Sequence, residues 1–204
     1  MQLPKVVDHD ERRDALAQAA WRVIGRDGLD GATLREIAHE AGCSTGVIQH
    51  YFLDRDDLLA FAASQISERA SRGIAAAEAK LAPGLPRLRA LMMILVPDDL
   101  QAARVSALLS FWARSAIDPV HNAIHRQQFD ALHRTIRLEV VVAQAAGQID
   151  ARREAQDIAD SLIAFGDGLC VRSCLHPDHF SKERRDQLID GMLLSLTPQK
   201  RMNP

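Results

Sequence analysis

Residues 33–52, with the sequence TLREIAHEAGCSTGVIQHYF, constrain the fold of this chain more than any other stretch. Thr33 followed by Glu36 forms a capping box, which is typical of a helix start. Apolar residues then recur at helical spacing until Gly42, where a left-handed residue can end a helix at little cost. Ser44 is a favoured N-cap for a second helix. The stretch therefore predicts two helices joined by a short glycine-containing turn.

The second of these helices would present short or neutral hydrogen-bonding groups to solvent. No acidic residue lies between Gly42 and Leu53. Glutamine can pair bidentately with adenine, and serine or threonine can bond to bases or phosphates. Arg55, at the next helix start, could hold a phosphate together with backbone N–H groups. The pattern predicts a DNA-binding surface, and a plain helical hairpin within a bundle is the alternative interpretation. The expected exposed positions are Ser44, Thr45, Gly46, Gln49 and His50.

The order T-L-R-E-I-A-x-x-A-G-x-S-x-G-x-I-x-x-Y-F, followed by Arg55 and Leu58-Leu59, resembles the DNA-binding domain of the tetracycline-repressor (TetR) family over residues 10–60. The resemblance implies an all-α, homodimeric transcriptional regulator, usually a repressor that a small ligand releases from its operator. The family most often has lysine where Arg55 stands, and arginine keeps the charge but not the geometry. The operator contacts implied by the resemblance are Thr33, Arg35, Ser44, Thr45, Gly46, Gln49, His50, Tyr51 and Arg55.

Charge argues against general binding of polyanions. The formal net charge is −2, and the first 55 residues contain seven Lys and Arg against nine Asp and Glu. This balance supports the alternative function, a helical small-molecule or metal-binding protein, possibly an enzyme, that has lost DNA binding. Local placement answers the objection, because the acids lie outside the second helix. We expect few phosphate contacts per subunit and a steep dependence on salt.

The rest of the chain reads as amphipathic helices separated by proline and glycine, so we predict an all-α fold of about nine helices. A helix over residues 10–26 would complete a three-helix head, and Arg12 and Arg13 near its start could reach phosphate or remain solvated. Residues 1–55 are therefore assigned to the DNA-binding domain, with the motif at 33–52, and residues 56–204 to a ligand-binding and dimerisation domain. A long helix over 54–81 would link the two mechanically. Further helices are predicted at 87–96, 98–117, 119–146, 151–175 and 181–196.

The C-terminal part resembles the BetI-type branch of the family, which includes a choline-responsive regulator of betaine synthesis. The resemblance rests on LLSFWARSA at 108–116, on the helix after Pro119 and on ADSLIAFGDGLCVR at 159–172. It implies that the last two helices, near 151–175 and 181–196, form a four-helix interface in a homodimer. Gly166 and Gly168 would let helices approach closely. The apolar residues that we expect to exceed what one subunit can bury are Leu162, Ile163, Phe165, Leu169, Leu188, Met192 and Leu196.

An effector pocket is expected among the helices between residues 54 and 146. Trp112 is the strongest candidate, because a buried indole N–H needs a partner. A choline-like cation would need an aromatic cage, but Cys170 stands where the family has an aromatic residue. Asp118 or Asp167 could hold a cationic ligand, cap a helix or remain exposed. The candidate pocket residues, each of which could equally be ordinary core, are Phe61, Gln65, Met92, Met93, Phe111, Trp112, Phe129 and Phe165.

Two groups of residues have the types that ligate metals. Two histidines four residues apart on a helix can share a metal ion, but solvated or pocket-lining histidines and buried thiols are the favoured interpretation. We predict no metal and no cofactor. The two groups are His121, His125 and His133, and the C-x3-C-x-H-x2-H run Cys170, Cys174, His176 and His179.

Catalysis has little support in the sequence. No phosphate loop, glycine fingerprint after a strand or nucleophile elbow is present, so we predict no catalytic residues and no enzyme. No apolar run reaches the roughly 18 residues of a membrane span, and the N-terminus lacks a signal-peptide pattern. Three widely placed cysteines do not form a disulfide framework. These features predict a cytoplasmic protein.

Overall fold

A computed structural model describes residues 9–96 and 102–198, and every regular element in these two segments is an α-helix. The predicted all-α fold of about nine helices is confirmed. Among the described residues, no helix combines the length and the apolar character needed to cross a membrane. The helices are α1 His9–Gly31, α2 Leu34–Glu40, α3 Thr45–Tyr51, α4 Arg55–Lys80, α5 Leu85–Leu95, α6 Ala102–Ser115, α7 Pro119–Ala145, α8 Ala155–Leu175 and α9 Lys182–Leu194.

The chain divides into two compact units. Unit 1 comprises residues 1–68 and 101–121, and unit 2 comprises residues 69–100 and 122–204. Helices α4 and α7 each begin in unit 1 and end in unit 2. Unit 1 includes α6, which packs on α1, in addition to the predicted three-helix head. The predicted division by function at residue 55 stays a prediction.

Local hydrogen bonds define the turn between α2 and α3. The Thr33 hydroxyl accepts from the Glu36 N–H at 3.2 Å and caps α2, as predicted. Gly42 has φ +63°, and its N–H donates to His39 O at 3.1 Å while Cys43 N donates to Ala38 O at 2.9 Å. This pair of bonds is a Schellman motif, which satisfies the last carbonyls of α2. The predicted helix end at Gly42 is confirmed.

The core of unit 1 lies between the helix-turn-helix and its supporting helices. Ile37 of α2, Ile48 of α3 and Leu58 of α4 are completely buried, together with Leu16 and Val23 of α1. Burying side chains of this size contributes about 1.5–3 kcal/mol each relative to leaving them exposed. The apolar inner faces of α2 and α3 therefore leave their opposite faces for solvent.

The core of unit 2 forms where α5, α7, α8 and α9 meet. A Cβ added to Gly166 would lie 3.1 Å from the Leu95 side chain and 3.3 Å from that of Met92. The predicted close approach at Gly166 is therefore found, between α8 and α5 of the same chain. Gly168 faces open space, with no atom within 4 Å of an added Cβ.

The predicted excess of apolar surface on α8 and α9 is wrong for most of the residues named. Side chains of α5 and α7 cover their inner faces, so these residues belong to the core of one chain. Phe165, Leu188 and Met192 are partly buried against the same core. The four residues that one chain already buries are Leu162, Ile163, Leu169 and Leu196.

Helix α8 begins at Ala155, four residues later than predicted. The Asp150 carboxylate accepts from the Arg152 backbone N–H at 3.0 Å and from the Arg152 guanidinium, which turns the chain before the helix. These hydrogen bonds lower the pKa of Asp150 to about 2. A short-range Asp–Arg turn has therefore replaced the first predicted turn of helix.

The C-terminal end of α4 is fixed within unit 2 by a half-buried ion pair. Arg87 donates to Glu78 O and Leu81 O, both at 3.0 Å, and lies 3.2 Å from the Glu139 carboxylate of α7. Glu139 also accepts from Gly84 N at 2.8 Å and is 8% exposed. Charge-assisted bonds of this kind tie the last turn of α4 to α7.

Candidate DNA interface and effector region

The structure exposes seven of the nine predicted DNA contacts. Thr33 and Arg35 lie at the start of α2, and Tyr51 and Arg55 are half-buried. Ser44 is the N-cap of α3, but its hydroxyl makes no capping hydrogen bond and is therefore available to another partner. The remaining four exposed contacts, all on α3, are Thr45, Gly46, Gln49 and His50.

Gly46 has no packing role within the chain. A Cβ added there would meet only the Ser44 hydroxyl oxygen, at 3.7 Å, which is ordinary van der Waals contact. The missing side chain leaves the backbone of α3 open to close approach from outside.

Aromatic contacts fix the last turn of α3. The Tyr51 ring lies 4.8 Å from the ring of His9 and 5.1 Å from that of His50, measured between centroids. Contacts at these distances are in the range of favourable ring pairs. The orientation of Tyr51 therefore depends on the first residue of α1.

An ion-pair network neutralises the acidic end of α2. Glu40 accepts from Arg22 at 2.6 Å and from Arg26 at 3.2 Å, and Arg26 also pairs with Asp27 at 2.8 Å. The hydrogen bond from Arg22 is the largest cause that lowers the pKa of Glu40. Because two carboxylates are paired with two guanidiniums, their charges largely cancel and add little to the electrostatic potential around the helix-turn-helix.

Two of the acids that follow α3 accept hydrogen bonds from backbone N–H groups. Asp54 Oδ1 accepts from the Asp57 N–H at 2.9 Å, and Asp57 Oδ2 accepts from the Leu53 N–H at 3.0 Å. Carboxylates at a helix N-terminus are stabilised by the helix dipole. They cap α4, and Leu53, which directly precedes Asp54, is 91% exposed.

Arg55 is directed into the head. Its Nε donates to Ala32 O at 2.7 Å, one Nη donates to Leu29 O, and the other lies 3.3 Å from Asp56 Oδ1. The predicted phosphate contact by Arg55 stays a prediction, but its guanidinium already has three acceptors in this structure. The sequence gives no signal for these backbone acceptors, because they lie 23 and 26 residues earlier.

Arg13 is half-buried, and its guanidinium lies over two aromatic rings. Its guanidinium carbon lies 4.2 Å from the ring centroid of Phe61 and 4.9 Å from that of Phe52. The two rings are themselves 5.5 Å apart. A cation within about 6 Å of an aromatic face is attracted to it. Nothing in the local sequence around Arg13 predicts this contact.

Four of the predicted effector contacts lie in unit 1, and all are half-buried. The Phe61 ring is accounted for by Phe52 and Arg13, and Phe111 lies 5.4 Å from the ring of His121. The Gln65 amide makes no hydrogen bond to any residue that the structure describes. Among these three residues, Gln65 is therefore the stronger candidate, and a ligand contact by Trp112 stays a prediction.

The other four predicted effector contacts lie in unit 2. Met92 is 1% exposed and packs on Gly166, so it is core. Met93 and Phe165 are half-buried against that core. Phe129 is 39% exposed and stacks on His133 at 5.6 Å.

The acids proposed for a cationic ligand have different surroundings. Asp118 Oδ1 accepts from His121 N at 3.2 Å and so caps α7, and Arg114 pairs with its other oxygen at 3.4 Å. Asp167 makes no hydrogen bond or ion pair within the described segments. Burial raises the pKa of Asp167, and the charge of His125 opposes that rise. Of the two acids, only Asp167 has an unused carboxylate.

The histidines and thiols form no metal centre in the part of the chain that is described. His133 Nε2 lies 2.9 Å from Asp160 Oδ1 and 3.1 Å from the Gln156 amide nitrogen. Burial, then the charges of Asp167 and Cys174, raise the pKa of Cys170 to about 11. Since the thiolate is the reactive form, Cys170 is a poor nucleophile and a poor redox sensor.

Known proteins match both parts of the chain. Residues 16–62 match the family of bacterial regulatory proteins called tetR, and residues 85–198 match the C-terminal domain of BetI-type transcriptional repressors. The transcriptional regulator PksA of Bacillus subtilis is 31% identical over 92% of this chain and 90% of its own length. The regulator BetI of Burkholderia lata is 32% identical over 85% of this chain and 87% of its own.

Solved structures agree with these relationships. A transcriptional regulator from Rhodococcus sp. Rha1 superposes with a TM-score of 0.75 at 26% identity, covering 90% of this chain and 95% of the other. The exposed helix-turn-helix, the helical second unit and the similarity to these regulators over most of the chain lead to one assignment. The chain is a transcriptional regulator of the TetR family, with a C-terminal domain of the BetI type.

Proposed function

We propose that this regulator is a homodimeric repressor that binds a palindromic operator and is released from it by a small-molecule effector. The observation that carries the proposal is the exposed, acid-free face of α3. Two copies of this face would enter major grooves about 34–36 Å apart, or slightly more. The two-fold symmetry of the protein would then require a near-palindromic site.

The nine predicted contacts divide by chemistry. Gln49 is the base reader, because its amide can pair bidentately with adenine. Thr33 and Arg35 are proposed to hold phosphates, because both are exposed and Arg35 has no ion pair among the described residues. Arg55 is left out of the proposed contact set, because each nitrogen of its guanidinium already donates to an acceptor within the chain. The other members of the set are Ser44, Thr45, Gly46, His50 and Tyr51.

The proposed dimer is formed by the outer faces of α8 and α9. Leu175 is 58% exposed and Leu194 is 70% exposed. Gly168 and Gly191 have no atom within 4 Å of an added Cβ, so their faces are open in a single chain. Small residues beside apolar ones suit the close packing of a second pair of helices.

The effector is proposed to bind in unit 2, at Asp167, whose carboxylate would receive a cationic or hydrogen-bond-donating group of the ligand. Because α4 begins in unit 1 and ends in unit 2, it is the proposed lever. The dimer would have one conformation in which the separation of its two DNA-binding heads fits the operator and another in which it does not. An effector that binds the second conformation more tightly shifts the population away from DNA.

Selection from a random duplex library followed by fluorescence anisotropy tests the DNA part of this proposal. We expect the wild-type chain to enrich a near-palindromic sequence and to bind it with steep salt dependence. Gln49→Ala should reduce discrimination between the enriched duplex and one changed at a single adenine by about 1–3 kcal/mol. Gln18→Ala, the same change at an exposed position of α1, serves as the control.

Two results would contradict the proposal. If the wild-type chain enriches no sequence, the proposal that α3 recognises a DNA sequence is refuted. If it enriches a single asymmetric half-site, with one chain bound per duplex, the proposed recognition by α3 stands but the proposed symmetric dimer is refuted.

A further inference from the structure

We propose that Arg13 and Arg55 are positioning residues, which set operator affinity by holding the two ends of the helix-turn-helix and make no contact with DNA themselves. The inference rests on the proposed DNA-contacting face of α3. It reverses the expectation that a cation at the start of α4 holds a phosphate.

Arg55 holds the beginning of the helix-turn-helix. Ala32, which accepts from its Nε at 2.7 Å, directly precedes the N-cap residue Thr33 of α2. Leu29, which accepts from one Nη, lies in the last turn of α1, directly after the non-helical residue Gly28. The same guanidinium therefore fixes the entry into α2 relative to the first residue of α4.

Arg13 holds the other end. Phe52 is the C-cap of α3 and is 2% exposed, and Phe61 lies two turns into α4. The Arg13 guanidinium covers both rings, at 4.9 Å and 4.2 Å, from α1. Its Nε is buried and makes no hydrogen bond, so the aromatic faces are the groups that retain this cation.

The two contacts act on the same supporting helix. Arg55 and Phe61 both belong to α4, so both ends of the helix-turn-helix are positioned relative to the same helix. For Arg55 to bind a phosphate, its guanidinium would have to leave two half-buried carbonyl groups. Leu29 O would keep the Ala32 N–H as a donor at 3.3 Å, but Ala32 O would lose Arg55. Leaving a buried acceptor without a donor costs about 1–3 kcal/mol, which disfavours the outward conformation.

Arg35 provides the matched comparison. It is an exposed arginine of α2 with no partner among the described residues, and we propose that it does bind phosphate. A lost phosphate contact reduces the slope of log K against log salt by about 0.9 per subunit. A lost positioning contact weakens binding without changing that slope.

The experiment compares lysine and methionine variants of Arg55, Arg13 and Arg35 on the duplex enriched by the wild-type chain. Anisotropy titrations at several salt concentrations give affinity and slope, and circular dichroism confirms folding. We expect Arg55→Lys and Arg55→Met to weaken binding alike, by about 2- to 30-fold, with the wild-type slope. Lysine cannot reproduce the two-carbonyl geometry of arginine. Arg35→Met should lower the slope, and Arg35→Lys should restore it.

Arg13 has an additional test that uses its aromatic partner. Arg13→Met should weaken binding strongly in the wild-type background and much less in a Phe61→Leu background, because the stacked pair is already broken there. Arg13→Lys keeps a cation but loses the planar stack, so it should fall between wild type and Arg13→Met.

Three outcomes overturn the inference while leaving DNA binding intact. The first is an Arg55→Met variant with a reduced slope that Arg55→Lys restores. The second is binding at wild-type strength by the methionine variants of both residues. The third is an equal loss from Arg13→Met with and without Phe61. Absence of any binding by the wild-type chain would instead refute the proposed DNA face, so the two failures are distinguishable.

If a methionine variant does not fold, the lysine variant alone decides, since a phosphate contact tolerates lysine and the proposed geometry does not.

Discussion

Gly46→Ala should change the stability of the protein and its affinity for DNA in opposite directions. Gly46 lies in the first turn of α3, and an added Cβ meets only the Ser44 hydroxyl oxygen at 3.7 Å. The chain itself therefore gives no steric reason for glycine at this position. If the backbone here approaches DNA, the reason lies outside the chain.

The two expected magnitudes can be worked out separately. Replacing glycine by alanine within a helix stabilises by roughly 0.5–1 kcal/mol, because the unfolded chain loses freedom and the helix gains propensity. Forcing a methyl group into a packed contact costs about 1–3 kcal/mol. That penalty corresponds to about 5- to 150-fold weaker binding for each contacting subunit.

Two measurements on the same protein sample separate the effects. Urea denaturation without DNA reports the free energy of unfolding, which should rise. Anisotropy with the duplex enriched by the wild-type chain reports affinity, which should fall, while weak binding to an unrelated duplex should change little.

Unchanged operator affinity in a more stable Gly46→Ala variant would refute the reasoning, because it would show that nothing comes close to this backbone. A destabilised variant would refute it differently, by showing that the free space at Gly46 is not present in solution.

Three further predictions concern the cap of α2, the buried acid of α8 and the proposed dimer face. Thr33→Ala should lower the free energy of unfolding by about 1 kcal/mol in urea, whereas Thr33→Ser, which keeps the capping oxygen, should not. Asp167→Asn should raise the melting temperature at pH 7, because burial raises the pKa of Asp167 and so opposes the charged form that an aspartate of the unfolded chain adopts at this pH. The gain should vanish below about pH 4, where Asp167 is protonated in both the folded and the unfolded chain, and a gain independent of pH would contradict this cause. Leu175→Asp should dissociate the dimer in light scattering, whereas Leu138→Asp, at an α7 position of nearly equal exposure (57% against 58%), should not.

The helix-turn-helix could be predicted residue by residue because its determinants are local. The Thr33 cap joins atoms three residues apart, and the bonds around Gly42 join atoms three and five residues apart. Such contacts are set by residue type and backbone geometry within one turn. The exposed face of α3 followed from the same local periodicity.

Contacts between distant residues were not predictable in this way. The apolar residues of α8 and α9 looked excessive for one subunit because the sequence does not show that α5 and α7 cover them. Arg55 looked like a phosphate ligand because its charge is visible in the sequence and its carbonyl acceptors are not. In both cases, residue type was identified correctly and the partner depended on tertiary packing.

The charge balance of the head illustrates why placement matters more than the formal sum. Arg22 and Arg26 are paired with Glu40, and Asp54 and Asp57 cap backbone groups. Within the described residues, these groups are already engaged, so they say little about attraction to DNA. What remains on α2 and α3 is one exposed cation, Arg35, the neighbouring acid Glu36 and the acid-free face of α3. A regulator built in this way would owe its specificity to hydrogen bonds and fit, with a salt dependence set by only a few phosphates.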